Sequence, residues 1–254
     1  MENIEKKQPK ATRAQVERMD EIYAEISEFE GSFVEDLEFR HLLLLQELED
    51  LKENYDWLDE VFEENNKKGL KNILGEVVVP AIYDRYGMLM PYYMKNKPVG
   101  AQLDGNFALV KRDGKGTPVT EFIYRAILPM PFCDVYVVFN KEDNSHFALM
   151  IEGKVITPYE IENHEMPCDD AIILSAEGKK GIFYYGYDLV YISPEYDNVY
   201  SQGIGENFIF VKDGKKGYVT LDKRFISIDD FEMLDYEEYE EISKIGFISS
   251  PDID

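Results

Sequence analysis

The chain has 254 residues, 44% of them hydrophobic, enough for a substantial core and too many for disorder along its whole length. Asp and Glu number 51 against 27 Lys and Arg, a formal charge of −24, which repels phosphate backbones and anionic membranes. Two cysteines cannot build a disulfide framework, as suits a reducing compartment.

Residues 1–10 read as a disordered tail. Met1 to Pro9 lacks the apolar run of roughly 7–15 residues that a secretory signal needs. The most apolar helical stretch, Leu42 to Leu45, is far short of the roughly 20 residues of a bilayer crossing. These features predict a soluble, cytoplasmic protein that engages neither membrane nor nucleic acid.

Residues 11–66 contain no proline and a single glycine, Gly31. Val16, Met19, Tyr23, Ile26 and Phe29 step by three or four, as do Leu48, Leu51, Tyr55, Leu58 and Phe62, so two helices are predicted at about 13–30 and 33–64. Thr12 with Gln15, and Ser32 with Glu35, have capping-box spacing, which puts the break at Gly31 and Ser32. Isolated helices of this length are marginal in water, so the pair is expected to bury a stripe on the following domain as a cap. The alternative is a helix pair presented to a partner or a second protomer.

From residue 67 to about 230 the texture is that of strands, with runs such as Val77-Val78-Val79, Tyr136–Phe139 and Phe208–Val211. Asp113-Gly114, Glu152-Gly153, Glu177-Gly178 and Asp213-Gly214 are two-residue turn candidates, glycine supplying the positive φ a tight hairpin requires. The turns recur within a unit. One copy runs from Ala171 through Glu177-Gly178-Lys179-Lys180-Gly181 to Pro194-Glu195-Tyr196-Asp197, and the next begins Phe208 to Asp213-Gly214-Lys215-Lys216-Gly217. An earlier copy reads Lys67-Lys68-Gly69 to Pro80-Ala81-Ile82-Tyr83-Asp84, with degenerate ones at Phe107–Gly116 and Val135–Glu160.

These segments resemble the WG-repeat (KWG-repeat) family, whose unit runs strand, Asp-Gly-Lys-Trp-Gly, strand, Asn/Asp-Gly-Lys, strand, Pro, Tyr-Asp. The family's Trp is replaced by Lys68, Lys180 and Lys216, and the only tryptophan, Trp57, lies in the helical half. The resemblance implies a mainly β repeat domain of stacked hairpin units, beside the N-terminal α-helical hairpin. The array either closes like a propeller or stays an open twisted array. The first copy starts at Lys67 without a leading strand, so a C-terminal strand could complete it and close the ring. Residues 231–254 read as an acidic C-terminal extension.

No catalytic set emerges, and no cofactor is implied. His164 and Cys168 lack the second ligand pair of a zinc site, and Cys133 has no partner visible in sequence. Gly203-Ile204-Gly205 and Gly114-Lys115-Gly116-Thr117 miss the nucleotide-loop spacings and read as turns. The tyrosine cluster around Tyr184 and Tyr187, with Tyr196, offers rigid contact area with polar tips, or else half-buried strand residues. Residues 1–66 carry 20 acidic and 7 basic side chains, and Asp229 to Glu241 has eight carboxylates and no base. Such runs are solvated faces or attractors of a basic partner. Tyr184, Tyr187, Tyr196, Asp229, Asp230, Asp235, Glu237 and Glu238 are therefore the candidate binding residues. The expectation is a non-catalytic protein-interaction module with a protein partner, a basic one where the acidic runs make the contact. Its rivals are an acidic inhibitor or immunity-type protein blocking a basic toxin or nuclease, and a carbohydrate-binding or hydrolytic protein using carboxylates and tyrosines in a groove.

Overall fold

The computed structural model describes residues 8–29, 35–130, 134–143, 145–168, 170–185, 189–201 and 208–248. The chain is mainly β, 45% strand, in five small antiparallel sheets with an N-terminal helical pair. It divides into two compact units, Met1–Leu128 and Pro129–Asp254, so a boundary falls inside the span 67–230 that the sequence reads as one domain. Among the described residues no helix is long and apolar enough to cross a membrane.

In the first unit, α1 (Arg13–Phe29) and α2 (Glu35–Asn54) place Val16, Met19, Ile22, Leu44 and Leu48 in one buried cluster with Trp57 and Tyr92. The Thr12 N–H donates to Gln15 Oε1 at 2.8 Å, the reciprocal half of the first capping box. The second box involves Ser32 and, with Gly31, lies outside the described residues. α2 ends at Asn54, well before 64, because tertiary partners override its periodicity. The Asp56 N–H donates to Pro9 O at 2.9 Å, and its carbonyl accepts from the Ala11 N–H at 3.2 Å. Trp57 turns inward, and its indole N–H donates to the Leu51 carbonyl near the helix end at 2.9 Å. The same Asp56 pairing fixes Pro9 and Lys10, which the sequence assigns to a disordered tail.

Residues 60–64 are not helix but β1 (Glu60–Glu64), paired with β2 (Lys67–Lys71), which pairs in turn with β3 (Val77–Tyr83). The first β unit thus has its own leading strand, which removes the reason for a C-terminal strand to complete it. The strand is hard to see in sequence because it is largely solvent-facing and acidic, with only Phe62 partly buried. The second sheet is β4 (Arg85–Tyr86), β5 (Val99–Leu103) and β6 (Asn106–Val110), with a 3-10 turn at Tyr92–Met94. Leu70, Val79, Tyr83, Val99, Ala101 and Val110 share one core. Beside it, Arg112 Nη2 and Asp59 Oδ1 form a 2.6 Å ion pair with side chains only 1% and 0% exposed.

Asp113-Gly114 is not a two-residue hairpin. The Asp113 carboxylate organises a longer loop, accepting from the Lys115 and Gly116 N–H groups at 3.0 and 2.8 Å and from the Thr117 hydroxyl at 2.7 Å. Those donors, the Thr117 hydroxyl foremost, hold its carboxyl well below the usual range. β7 (Ala126–Pro129) straddles the boundary between the units.

The second unit contains β8 (Val135–Phe139), β9 (Ala148–Ile151) and β10 (Lys154–Val155) as one meander. β11 (Asn163–Cys168), β12 (Ala171–Ala176), β13 (Lys179–Tyr184) and β14 (Val190–Tyr196) form a second. The third is β15 (Asn198–Ser201), β16 (Phe208–Lys212), β17 (Lys215–Val219) and β18 (Phe225–Ser227). Alternation along β12 and β13 feeds two cores: Ile172, Leu174 and Phe183 face one, while Ala171, Ile173 and Ile182 face the other. After α3 (Ile228–Glu232) and α4 (Tyr236–Ile245) the chain returns to the sheet. The Ile248 N–H donates to Val219 O at 3.0 Å, and Ile248 is 2% exposed in the core. Residues 246–248 therefore belong to the fold of this unit, although the sequence reads 231–254 as an extension.

Among the described residues each of the five sheets holds one two-residue turn with both residues at positive φ: Asn65-Asn66, Asp104-Gly105, Glu152-Gly153, Glu177-Gly178 and Asp213-Gly214. That geometry matches the right-handed twist of the strands it joins. A second device recurs with it. Lys67 pairs with Asp84 at 2.6 Å, and Asp84 Oδ2 also accepts from the N–H of Asp104, in the next sheet's turn, at 2.8 Å. Lys179 pairs with Asp197 at 2.5 Å, and the backbone N–H groups of Asp213 and Gly214 help keep the Asp197 carboxyl low. Each aspartate thus ties its own sheet's lysine to the following turn. The glycine after the paired lysines admits the third strand: a Cβ on Gly181 would meet Ile192 O at 2.3 Å, and one on Gly217 would meet Ile226 O at 2.2 Å. Of the lysines just before these two glycines, Lys180 pairs with Glu165 at 3.1 Å and Lys216 lies 5.9 Å from the Tyr200 ring centre.

Candidate functional site

The residues singled out in sequence do not converge. Tyr184 and Tyr196 are 7% and 1% exposed, and both belong to the core of the second unit. Tyr196 stacks edge-on against Phe210 at 5.0 Å, and burial pushes its phenol up to about 12. Their rings pack the sheet and offer no contact area, the bland alternative that alternation along a strand allows. Tyr187 lies outside the described residues, as do Cys133 and Gly203-Ile204-Gly205.

The acidic run builds helix ends. Ser227 caps α3, its hydroxyl donating to Asp230 Oδ2 at 2.6 Å, and Asp229 also sits in that first turn. Asp235 and Glu238 form a complete capping box on α4: Asp235 Oδ1 accepts from the Glu238 N–H at 2.9 Å, and Glu238 Oε2 from the Asp235 N–H at 3.2 Å. Glu237, exposed, adds favourable charge at the same helix N-terminus. A shallow cavity of about 580 Å³ beside α4 is lined by Glu238, Glu241, Asp222 and Arg224. Most of that charge is already committed, since Arg224 holds Asp222 at 2.9 Å and Glu238 is spent on its cap.

A different place in the second unit collects uncommitted charge. A groove of about 540 Å³ is lined by His146, Tyr159, Glu160, Ala176, Glu177, Lys179, Ser193 and Pro194. The loop before β9 supplies His146, the β10–β11 link supplies Tyr159 and Glu160, the β12–β13 turn supplies Glu177, the start of β13 supplies Lys179, and β14 supplies Ser193 and Pro194. His146 is fixed from the side: Nδ1 lies 2.5 Å from Asp143 Oδ2, and Nε2 lies 3.7 Å from Glu162 Oε1. The Ser145 hydroxyl donates to Asp143 Oδ1 at 2.6 Å. The contact with Asp143 raises the His146 imidazole above its ordinary value, while Ser145 and His146 hold the Asp143 carboxyl well below its own.

The basic side chains on the groove wall are already matched, Lys179 by Asp197 and His146 by Asp143. Glu160 accepts one hydrogen bond, from the Tyr191 hydroxyl at 2.8 Å, which with burial pushes the Tyr191 phenol up. Glu177 makes no side-chain ion pair with any described residue, and its backbone N–H donates to Glu162 Oε2 at 3.3 Å. Glu160 and Glu177 are both exposed to solvent, so the groove has surplus negative charge at its mouth. His164, which the sequence leaves without a second ligand pair, meets Phe147 edge-on at 5.5 Å, and burial lowers its imidazole. Among the described residues no three His, Cys, Asp or Glu side chains converge as metal ligands.

Sequence reasoning misses the groove because its residues span positions 143–197 and come together only through strand pairing. The one local signal is Asp143-Asn144-Ser145-His146, which reads as a turn with an imidazole at its end. In class, this is a mainly β protein of five small antiparallel sheets with a helical pair and an acidic groove in its second unit. Comparison with protein-family models, curated proteins and solved structures gives no match to this chain.

Proposed function

We propose that the protein is a non-catalytic interaction module whose second unit receives a cationic side chain from a basic protein partner. One observation carries the reading: Glu160 and Glu177 face a groove whose basic side chains, Lys179 and His146, are already held by Asp197 and Asp143. An arginine or lysine entering the groove meets two carboxylates without displacing an existing pair. Tyr159 and Pro194 give its methylene stem an apolar wall. The formal charge of −24 supplies long-range attraction, so association is faster at low salt. A cytoplasmic setting accords with this reading. A narrower form of it is an acidic inhibitor or immunity-type protein that covers a basic toxin or nuclease.

The recurring turn, lysine–aspartate pair and close-approach glycine support reading the sheets as degenerate WG-like units, with lysine in place of the family's tryptophan. A second functional reading, carbohydrate binding, is favoured by Tyr159 and Tyr191 beside the Glu160 carboxylate. Calorimetric titration with an alternating Gly-Arg peptide separates the two. The expected result is binding that weakens at least about tenfold, or about 1.4 kcal/mol, in a Glu160→Gln, Glu177→Gln double variant. Equal affinity in wild type and variant overturns the groove reading. Binding of a neutral oligosaccharide without binding of the peptide favours the sugar reading instead.

A further inference from the structure

α2 carries apolar surface that its own packing does not use. Its stretch Leu42-Leu43-Leu44-Leu45-Gln46-Glu47-Leu48 buries Leu44 and Leu48, at 6% and 4% exposure, against α1 and Trp57. Leu42, Leu43 and Leu45 remain 63%, 56% and 38% exposed. Helix formation does not require leucine there, because Glu, Lys and Gln propagate a helix about as well and dissolve better. Around the helix Leu42 sits between the other two, with Leu45 nearly one turn along and Leu43 about 100° round, and apolar exposure grouped this way marks a contact surface.

The surrounding charge specifies what can sit on it. Of the cations of the pair, Arg18 is taken by Glu47 at 2.7 Å, Arg40 by Glu25 at 2.6 Å and Lys52 by Glu49 at 2.8 Å, while Arg13, at the far start of α1, has no carboxylate among the described residues. Asp50 and Glu53, further along the same helix, face solvent without a cation among the described residues. A second copy of the chain would bring the same acidic border, within residues 1–66 that carry 20 acidic and 7 basic groups, and would be repelled. An apolar stripe edged by Lys or Arg is complementary in both respects.

We propose that Leu42, Leu43 and Leu45 form a ridge that docks a basic amphipathic helix of a partner protein. The inference rests on the reading above only in taking the partner to be basic, and it uses a different surface. Its occupant is recognised as helix against helix, with apolar residues at i, i+3, i+4 and i+7 meeting the ridge and flanking cations meeting Asp50 and Glu53.

The test uses a synthetic Leu/Lys peptide with that spacing and the full-length protein, read by fluorescence anisotropy. The Leu42→Ser, Leu43→Ser variant changes only exposed positions, and circular dichroism checks that its fold is kept. The expected result is at least tenfold weaker binding of the Leu/Lys peptide by this variant, and unchanged binding by Glu160→Gln, Glu177→Gln. An alternating Gly-Arg peptide should show the reverse pattern. Unchanged Leu/Lys affinity in the leucine variant overturns the ridge whatever the groove variant does. Failure of the groove reading shows separately, as unchanged Gly-Arg binding. Concentration-dependent dimerisation of the wild type by light scattering, abolished in the leucine variant, also overturns the proposal by assigning the ridge to a second copy.

Discussion

Removing Arg112 is the sharpest test of how the first unit is held together. Its guanidinium donates to Asp59 Oδ1 at 2.6 Å and to the Met94 carbonyl at 2.9 Å, and neither side chain of the pair is more than 1% exposed. Arg112 thereby links the approach to β1 with the end of the 3-10 turn, whose Tyr92 packs on the helices and whose neighbour Lys95 pairs with Asp20 at 2.8 Å. Arg112→Met leaves a buried carboxylate without its counter-charge and a carbonyl without its donor. Deleting one partner of a buried pair costs about 3–5 kcal/mol. For a unit of this size that lowers the melting temperature by roughly 10–20 °C.

The deficit depends on pH. Burial pushes the Asp59 carboxyl above its ordinary value, and Arg112 opposes that push. A carboxyl raised in the folded state favours folding below its unfolded pKa, and that contribution is lost as pH rises through the folded value. Without Arg112 the folded value climbs further, so the variant should lose less stability at pH 5 than at pH 8. Replacing both partners, as Asp59→Leu with Arg112→Met, should recover most of the loss, because an apolar pair leaves no buried charge. Urea denaturation of the three variants at both pH values is the assay. A single-variant cost below about 1 kcal/mol, or a deficit identical at pH 5 and 8, refutes the reasoning.

Three further outcomes follow from particular contacts. By NMR titration, His146 should lose its proton above the ordinary histidine value and His164 below it, since Asp143 and Glu162 face the first and burial beside Phe147 governs the second; coincident midpoints would contradict both environments. The His146 contribution to stability should be complete below the ordinary value and disappear as pH rises through the raised one. Gly181→Ala should cost about 1–3 kcal/mol or more by forcing β14 away, whereas Gly178→Ala, with nothing within 4 Å of its Cβ, should cost only its left-handed strain, about 1–2 kcal/mol. Equal costs in chemical denaturation would show that close strand approach is not what that glycine provides. Asp235→Ala should shorten α4 and cost about 1 kcal/mol through its lost cap, while Glu237→Ala at the exposed neighbouring position should be close to neutral.

Much of the β half is legible from turn chemistry alone. Glu152-Gly153, Glu177-Gly178 and Asp213-Gly214 sit at positive φ as two-residue hairpins, because glycine at the second position states its conformation openly. Asn65-Asn66 makes the same turn without glycine and escapes notice, and with it goes β1, whose residues face solvent and so lack alternation. Asp113-Gly114 looks like its siblings yet folds as a carboxylate-organised loop, since Thr117 and two backbone N–H groups compete for the aspartate. α1 starts where capping and periodicity place it, while the expected start of the second helix lies outside the described residues. α2 ends early because Asp56 and Trp57 find tertiary partners that no local pattern encodes. The candidate site was the least legible part. Tyr184 and Tyr196 have the composition of an interface and the alternation of a core, and packing decides for the core. Asp235 and Glu238 look like a charged face and serve as a capping box, and Asp230 holds the Ser227 hydroxyl that caps α3. The groove assembles from loops far apart in sequence, whose convergence depends on strand pairing.

The central claim is that Glu160 and Glu177 capture a cationic side chain. Heteronuclear NMR of the full-length protein, titrated with an alternating Gly-Arg peptide at low salt and at about 0.5 M salt, tests it most directly. At the higher salt the screening length falls to a few ångströms, so an electrostatic association weakens. The account predicts saturable shifts centred on His146, Glu160, Glu177 and Lys179 at low salt, fading at high salt. Shifts confined to the acidic α3 and α4 segment, or none in the groove at either salt, would contradict it.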